Sequence, residues 1–218
     1  MGQLPNARAE IEKPAFACTV IDMFGPIQIR LSRKTLKEAQ IIIFACMTSR
    51  AIHLELVTDR TTDAFLMAFR RFACTRGHPA VCWSDHGTNF VGAQDYLREI
   101  CKQENITRIQ NTVAEEFNCQ FRWEWNIPKT SHMNGVVESL IKSVRQAMDA
   151  SFRQQSLTEE QWRTCLAEVT YTINSRPLYP SSDAIWENPP ITPNDLIIGP
   201  HAAIPVPNPE ERELTQGN

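Results

Sequence analysis

An uninterrupted apolar run early in the sequence limits the folds that this chain can adopt. Residues 40–47 read Gln-Ile-Ile-Ile-Phe-Ala-Cys-Met and have no polar face. Such a run is typical of a β-strand that is covered on both faces. Residues 51–57 follow a short turn and alternate apolar with polar side chains, which predicts a half-buried strand in a hairpin with the first. The chain is therefore expected to hold one sheet between layers of helices.

Other segments supply the rest of this layered architecture. Further strands are predicted at 16–24, at 27–31 after a break at Gly25-Pro26, at 80–84 and at 121–127. Helices are predicted from Thr61 or Thr62 to about Arg76, over about 92–103, from a first turn near Gly135, and from the capping-box pattern at 158–161 to Arg176-Pro177. The polar stretch 104–120 is interpreted as an insertion, and 128–134 as a loop.

The helix that begins near Gly135 is strongly amphipathic. Apolar residues recur at intervals of three and four, which predicts one buried stripe: Val137, Leu140, Ile141, Val144, Met148 and Phe152. A second set shares the same spacing on another face and consists of Glu138, Lys142, Arg145 and Asp149. By itself, a carboxylate beside Lys and Arg is more typical of solvated pairs on a helix surface than of a functional site.

Composition bounds the class of protein. With 218 residues, 42% of them hydrophobic, the chain is long enough for one cored domain with tails. The net charge of −3 argues against a strongly basic nucleic-acid coat, although a local basic groove remains compatible with it. The seven cysteines are scattered, with no Cys-x-x-Cys pair, so we expect buried thiols in a reducing compartment and no zinc site. Neither a signal peptide nor a membrane span is expected.

The predicted boundaries follow these composition changes. Residues 1–15 are expected to form a polar lead-in, 16–176 the core, 177–199 a proline-rich extension of the core, and 200–218 a disordered tail.

Three acids from three predicted elements form the candidate site. Asp22 lies within a strand, Asp85 at the end of another, and Glu138 in the first turn of the amphipathic helix. Taken singly, Asp22 could face solvent and Asp85 could form a turn before Gly87. Together they suggest a cluster whose mutual repulsion a divalent cation would relieve, and oxygen ligands favour Mg²⁺ or Mn²⁺. Two such ions suit an in-line phosphoryl displacement.

The motifs around these acids resemble a known family. The segments that carry the resemblance to the catalytic core of retroviral-type integrases are 20–26, 48–55, 84–92 and 135–138. Two further segments, 173–178 and 191–194, resemble the BEL/Pao class of LTR retrotransposons. His86, Asn134 and Val137 depart from the pattern of most relatives, and the interval from Asp85 to Glu138 is longer than in retroviral integrases. The family's N-terminal zinc-binding module and C-terminal basic domain are expected to be absent.

The resemblance implies a fold and a reaction. The fold would be α/β and ribonuclease H-like, with a five-stranded mixed sheet flanked by helices. Asp22, Asp85 and Glu138 would be the family's DDE ligands for two Mg²⁺ or Mn²⁺ ions. The reaction would trim the 3′ end of the element's DNA and join it to target DNA. Double-stranded DNA and further copies of the chain are the implied partners, a membrane is not, and the nucleus is the implied location.

Polar residues near the acids are candidate DNA contacts. Lys142 and Arg145 would contact phosphates, with an ordinary exposed helix face as the equal alternative. Thr88, Asn89 and Asn134 would contact the scissile region, and Asn89 could equally cap its own loop. The tryptophans Trp83, Trp123 and Trp125 are interpreted as packing residues.

Two other functions remain open at this stage. A catalytically inactive or co-opted integrase remnant could bind DNA or dimerise. A ribonuclease H would need a fourth carboxylate near the centre, and no motif in the sequence indicates one.

Overall fold

The computed structural model describes residues 13–84, 102–117, 121–125, 131–151, 157–179 and 190–198. Within these ranges it leaves out the side chains of residues 103, 125, 131–134, 136 and 149–151. The predicted helix at 92–103 therefore lies almost wholly outside the described residues. Most of the predicted lead-in and the whole of the predicted tail at 200–218 also lie outside them.

Five strands form one mixed sheet in the order β3-β2-β1-β4-β5. Their bounds are Cys18–Arg30 for β1, Leu36–Cys46 for β2, Ile52–Val57 for β3, Val81–Ser84 for β4 and Arg122–Trp125 for β5. The strands β1, β2 and β3 pair antiparallel, whereas β4 is parallel to both β1 and β5. The expectation of a five-stranded mixed sheet flanked by helices is confirmed.

Helices cover both faces of this sheet. They are α1 (Thr62–Arg76), α2 (Gln103–Phe117), α3 (Ser131–Ser151), α4 (Glu159–Asn174) and the short α5 (Pro193–Ile197). Helices α1 and α2 pack on one face, called here the α1/α2 face, with Ile21, Met23, Ile42 and Phe44 of the sheet. Helices α3 and α4 pack on the other, the α3/α4 face, with Val20, Phe24, Ile41 and Ile43. No helix among the described residues is long and apolar enough to cross a membrane.

Local sequence signals start two of these helices where they were expected. The Thr61 side chain caps α1 by accepting a hydrogen bond from the Ala64 amide, and Gly77 ends the helix. Thr158 and Gln161 form the reciprocal bonds of a capping box at the start of α4. Each cap satisfies amide groups that a helix leaves without intrahelical partners.

The interpretation of 104–120 as an insertion is wrong for the part that the structure describes. Residues 103–117 form α2, and its side chains Ile106, Ile109 and Val113 are buried in the core of the α1/α2 face. Their spacing of three and four residues places them on one side of the helix. The polar residues that obscured this pattern lie on the solvent side.

Helix α3 begins earlier than predicted. It starts at Ser131 and includes the last four residues of the predicted loop, so Glu138 is its eighth residue and does not lie in the first turn. Val137, Leu140, Ile141 and Val144 form the predicted buried stripe. Met148 packs beside them, and Phe152 lies outside the described residues.

Two predictions about strands also need correction. Residues 18–30 form one strand with a bulge between Phe24 and Ile27, not two strands separated by a break. Gly25 allows the bulge because its φ is +147°, and a Cβ there would lie 2.4 Å from Oε1 of Gln40. Strand β3 is covered on both faces instead of half-buried, because α1 packs on one face and α4 on the other.

A buried amide ties α4 to the outer edge of β3. The Asn174 side chain is fully buried, accepts a hydrogen bond from the Ile52 amide at 2.8 Å, and donates one to the Ile52 carbonyl at 2.9 Å. It therefore replaces a neighbouring strand for this residue. Since an unpaired sheet edge invites pairing with another chain, the contact also protects the edge.

Replacing Asn174 with Ala should lower the free energy of unfolding by about 2–4 kcal/mol, because both Ile52 backbone groups would be buried without partners. Urea denaturation of the purified chain measures this change. Thr172→Ala is the matched control, since the Thr172 side chain is exposed and its hydroxyl donates to the Glu168 carbonyl of its own helix. An Asn174→Ala variant as stable as Thr172→Ala would contradict the assigned role.

Candidate active site

Asp22 occupies the central strand on the α3/α4 face of the sheet. Side chains alternate along β1, so Val20 and Phe24 flank Asp22 on this face while Ile21 and Met23 point to the other. Its cross-strand partner on β2 is Ile43, which in turn pairs with Leu54 of β3. Both neighbours are buried, whereas Asp22 is half-buried. The acid is therefore partly accessible to solvent among buried side chains of this face.

The Asp22 carboxylate makes a local hydrogen bond. Its Oδ1 accepts from the Met23 amide at 2.7 Å. An ionised carboxylate has about four lone-pair sites, so this bond leaves capacity for further ligands. A carboxylate at a half-buried position needs such compensation, because desolvation disfavours the charge.

Helix α3 presents the other described acid. Val137 and Leu140 are buried in the same hydrophobic cluster as Val20 and Phe24, so α3 packs on the face of the sheet that holds Asp22. Glu138 and Lys142 are exposed. Thus the predicted polar face exists, and its acid belongs to the helix that packs on the face where Asp22 lies.

Arg145 lies two turns beyond Glu138 and contacts the sheet. Its guanidinium carbon is 5.5 Å from the centroid of the Phe24 ring, within the range of a cation–π interaction. The Arg145 side chain is nevertheless exposed. The contact links the cationic end of this helix face to the residue two positions after Asp22.

The far side of the same face is formed by β4 and β5. Trp83 pairs with Val20 of β1 and with Glu124 of β5, and it packs partly against the α3/α4 core. Its indole Nε1 donates to Glu124 Oε2 at 3.1 Å. The Glu124 and Arg122 side chains are 45% and 71% exposed. Sequence reasoning assigned Trp83 to packing and missed this pair, although Trp83 precedes Asp85 by two residues and so shares its predicted strand face.

Four predicted site residues have no described side chain. Asp85, Thr88 and Asn89 lie outside the described residues, and Asn134 belongs to the first turn of α3 without a described side chain. Among the side chains that are described, no group of three or more His, Cys, Asp or Glu residues is arranged to hold a metal ion. Of the three predicted ligands, Asp22 and Glu138 have described side chains.

Comparison with known proteins identifies the fold. No protein-family model matches the sequence, and no curated protein matches it. A chain of the simian T-cell lymphotropic virus intasome, solved in complex with the PP2A regulatory subunit B56 gamma, matches with a TM-score of 0.55 and 14% identity over 90% of this chain and 59% of that one. The catalytic core of BIV integrase matches at 0.54 and 13%, over 93% and 99%. The magnesium-bound core of HTLV-2 integrase, in its trimeric form, matches at 0.51 and 12%, over 80% and 96%.

The chain has the ribonuclease H-like fold of integrase catalytic cores. At 12–14% identity this likeness shows the fold alone. The present chain spans about three fifths of the intasome chain that it matches.

A second charged cluster lies on the opposite face of the sheet and is separate from the acids. Glu55 on β3 accepts hydrogen bonds from His53 Nε2 at 3.0 Å, when that nitrogen carries the proton, and from Arg71 Nε of α1 at 2.6 Å. Burial alone would raise the pKa of Glu55, but the hydrogen bonds and charges of His53 and Arg71 outweigh it and hold the pKa below its usual value. This cluster explains why two polar residues are tolerated on a covered strand.

Glu55→Gln should destabilise the chain by about 1–2 kcal/mol at pH 7, because it removes charge-assisted hydrogen bonds from a buried position. The difference from wild type should shrink as the pH falls below 4.5, the usual pKa of this group. A depressed pKa gives stability that is present above the unfolded value and is lost on protonation in the folded state. Urea denaturation between pH 3 and pH 7 measures both trends.

Glu38→Gln provides the control for this experiment. The Glu38 carboxylate is 3.5 Å from Arg60 at the surface, where both side chains are largely exposed. Such a pair contributes little, so the variant should follow wild type at every pH. A stability difference for Glu55→Gln that does not change with pH would refute the proposed ionisation.

Proposed function

We propose that this chain is the catalytic core of an integrase that processes DNA 3′ ends and joins them to target DNA, as in LTR retrotransposons of the BEL/Pao class. The observation that carries the proposal is the pairing register of the central strands. The integrase-like fold and the sequence motifs around the three acids support it.

Strands β1 and β4 pair in parallel with a constant offset. Cys18 pairs with Val81 and Ile21 with Ser84, an offset of 63 residues. Asp22 and Asp85 are also 63 residues apart, and each follows the last of these pairs directly. If the register continued by one residue, the two acids would be neighbours on the α3/α4 face. Neither acid was assigned from this register, so the coincidence is independent support.

Helix α3 would supply the third carboxylate. It packs on the α3/α4 face through Val137, the residue before Glu138. Arg145 touches Phe24, and Glu138 lies seven residues earlier on α3, about 10 Å along the helix axis. The stretch of β1 from Phe24 back to Val20 is four residues, or about 13 Å, so the two distances are comparable. We propose that Glu138 approaches the Asp22 carboxylate from above the sheet.

The donor set fits hard divalent cations. Three carboxylates offer only oxygen, which suits Mg²⁺ or Mn²⁺ better than zinc. Asp22 and Asp85 would hold one ion, and Asp22 with Glu138 the other. When bound, the pair of ions would polarise the attacked phosphodiester and stabilise the leaving oxygen. The neighbour solved with magnesium is consistent with this assignment.

Other residues would hold the DNA. Lys142 follows Glu138 by one helical turn and Arg145 by two, so both could neutralise phosphates beside the acids. Thr88, Asn89 and Asn134 are proposed to contact the scissile region. Because integration acts on chromosomal DNA, we propose a nuclear location. The intasome and trimeric neighbours are assemblies, and we propose that this chain also acts as a homo-oligomer.

Asp85→Asn tests the proposal. Wild type should join oligonucleotide ends to target DNA, or catalyse the reverse disintegration reaction, only when Mg²⁺ or Mn²⁺ is present. Losing one carboxylate ligand should lower the rate by at least about a hundred-fold. Asp22→Asn should also abolish the rise in melting temperature that Mn²⁺ gives the wild type, which reports metal binding without turnover.

Glu168→Gln is the matched control, because Glu168 is an exposed carboxylate on α4 outside the proposed site. It should keep wild-type activity and the wild-type response to Mn²⁺. DNA binding without metal, and without joining by wild type, would refute the proposal and favour a co-opted DNA-binding module.

A further inference from the structure

The half-buried indole of Trp83 lies on the α3/α4 face, on the strand next to the one that holds Asp22. Trp83 and Asp22 are on adjacent strands and on the same face, two residues apart along the strands. A rise of about 3.3 Å per residue and a strand spacing of about 4.8 Å put their Cα atoms roughly 8 Å apart. This is the scale of one nucleotide.

Coverage of the α3/α4 face decreases across the sheet at this point. One row of side chains runs from Ile52 on β3 through Ala45 and Val20 to Trp83 and Glu124. The first three are buried, Trp83 is half-buried, and Glu124 is exposed. In the part of the chain that is described, α3 and α4 cover the sheet up to β1, and the aromatic ring is at the margin of that cover.

Glu124 fixes the orientation of this ring. Its Oε2 accepts the indole N–H at 3.1 Å, while its Oε1 is 4.0 Å from the Arg122 guanidinium. A polar tip held in this way restricts rotation of the ring. Tryptophan combines a large apolar surface with a single donor, so tying the donor leaves the π-surface for contact.

We propose that Trp83 is a stacking platform for an unpaired nucleobase at the end of a DNA strand bound at the active site, and that Glu124 is its positioning residue. The inference rests on the proposed function and specifies the partner of the same site. Exposed cations on this face suit such a partner: Lys142 and Arg145 lie on α3, with Arg145 over the Phe24 ring, and Arg122 is 4.0 Å from the Glu124 carboxylate. Stacking on aromatic rings tolerates any base, because every base has a π-face.

Fluorescence of 2-aminopurine tests the proposal. The probe is a duplex oligonucleotide with one unpaired 2-aminopurine at its end, titrated with the full chain at low salt without divalent cations. Wild type should quench the probe, since stacking quenches its emission. Trp83→Ala should abolish the quenching and weaken binding about ten-fold. Equal quenching and equal affinity in a folded Trp83→Ala variant would overturn the proposal.

The positioning role has its own variants. Glu124→Gln keeps an acceptor for the indole N–H and should quench as wild type does, whereas Glu124→Ala should lose at least half of the quenching. Glu124 is exposed, so both of its variants should fold. They therefore test the stacking site even if Trp83→Ala fails to fold. Quenching by Glu124→Ala equal to that of Glu124→Gln would overturn the positioning role.

Trp162→Phe is the matched control. Trp162 is likewise half-buried against the α3/α4 core, and its Nε1 donates to the Gln28 carbonyl at 3.0 Å. This variant should leave the quenching unchanged, and a loss equal to that of Trp83→Ala would overturn the assignment to Trp83.

Joining assays in Mg²⁺ separate this inference from the proposed function. Suppose that wild type joins DNA only with metal, and that Trp83→Ala quenches the probe as strongly as wild type does. This result would overturn only the stacking site. Quenching that requires Trp83, in a chain that joins no DNA with Mg²⁺ or Mn²⁺, would support the stacking site and refute the proposed function.

Discussion

Strand β1 is hydrogen-bonded to β2 in the antiparallel sense and to β4 in the parallel sense, and both registers must hold for Asp22 to face α3. Side chains alternate along a strand, so a slip of one residue would turn Asp22 toward the α1/α2 face. Around β1 that face is lined by the buried side chains of Ile21, Met23, Ile42 and Phe44, and an acid there would lose its contact with solvent. The position of the candidate site is therefore a consequence of strand register before it is a consequence of any single contact.

Aromatic packing on the α1/α2 face stabilises this register. Phe44 of β2 stacks on Phe72 of α1, with ring centroids 4.1 Å apart and an interplanar angle of 3°, and Phe69 meets Phe44 edge-on. Phe16, which precedes β1, packs edge-on against Phe72 as well. Because large rings fit only one arrangement in a dense core, these contacts oppose sliding of the strands. The α1/α2 face thus holds the strands in register, and the opposite face carries the candidate site and the exposed side chain of Glu124 on β5.

Features of the fold that depend on neighbouring residues could be predicted from the sequence. Features that depend on contacts between distant segments could not. The cap at Thr61 and the capping box at Thr158 are complete within four residues, so the starts of α1 and α4 could be read from the sequence. The spacing of Ile106, Ile109 and Val113 was equally visible, but the surrounding polar residues of α2 outweighed it. The covering of β3 depends on α1 and α4, which pack against it from elsewhere in the chain, and its alternating pattern predicted an exposed face instead.

In the candidate site, too, the sequence predicted the residues but not the strand registers around them. Resemblance to integrases named Asp22, Asp85 and Glu138, and the amphipathic pattern placed Glu138 on the polar side of α3, but neither could align β1 with β4. The offset of 63 residues in that pairing is a property of the folded sheet. The pairing of Trp83 with Glu124 depends on a second register, between β4 and β5, and the sequence alone favoured a packing role for this tryptophan. The Trp83 ring can be related to the candidate site only through these registers, which put it on the strand beside Asp22 and within hydrogen-bond distance of Glu124.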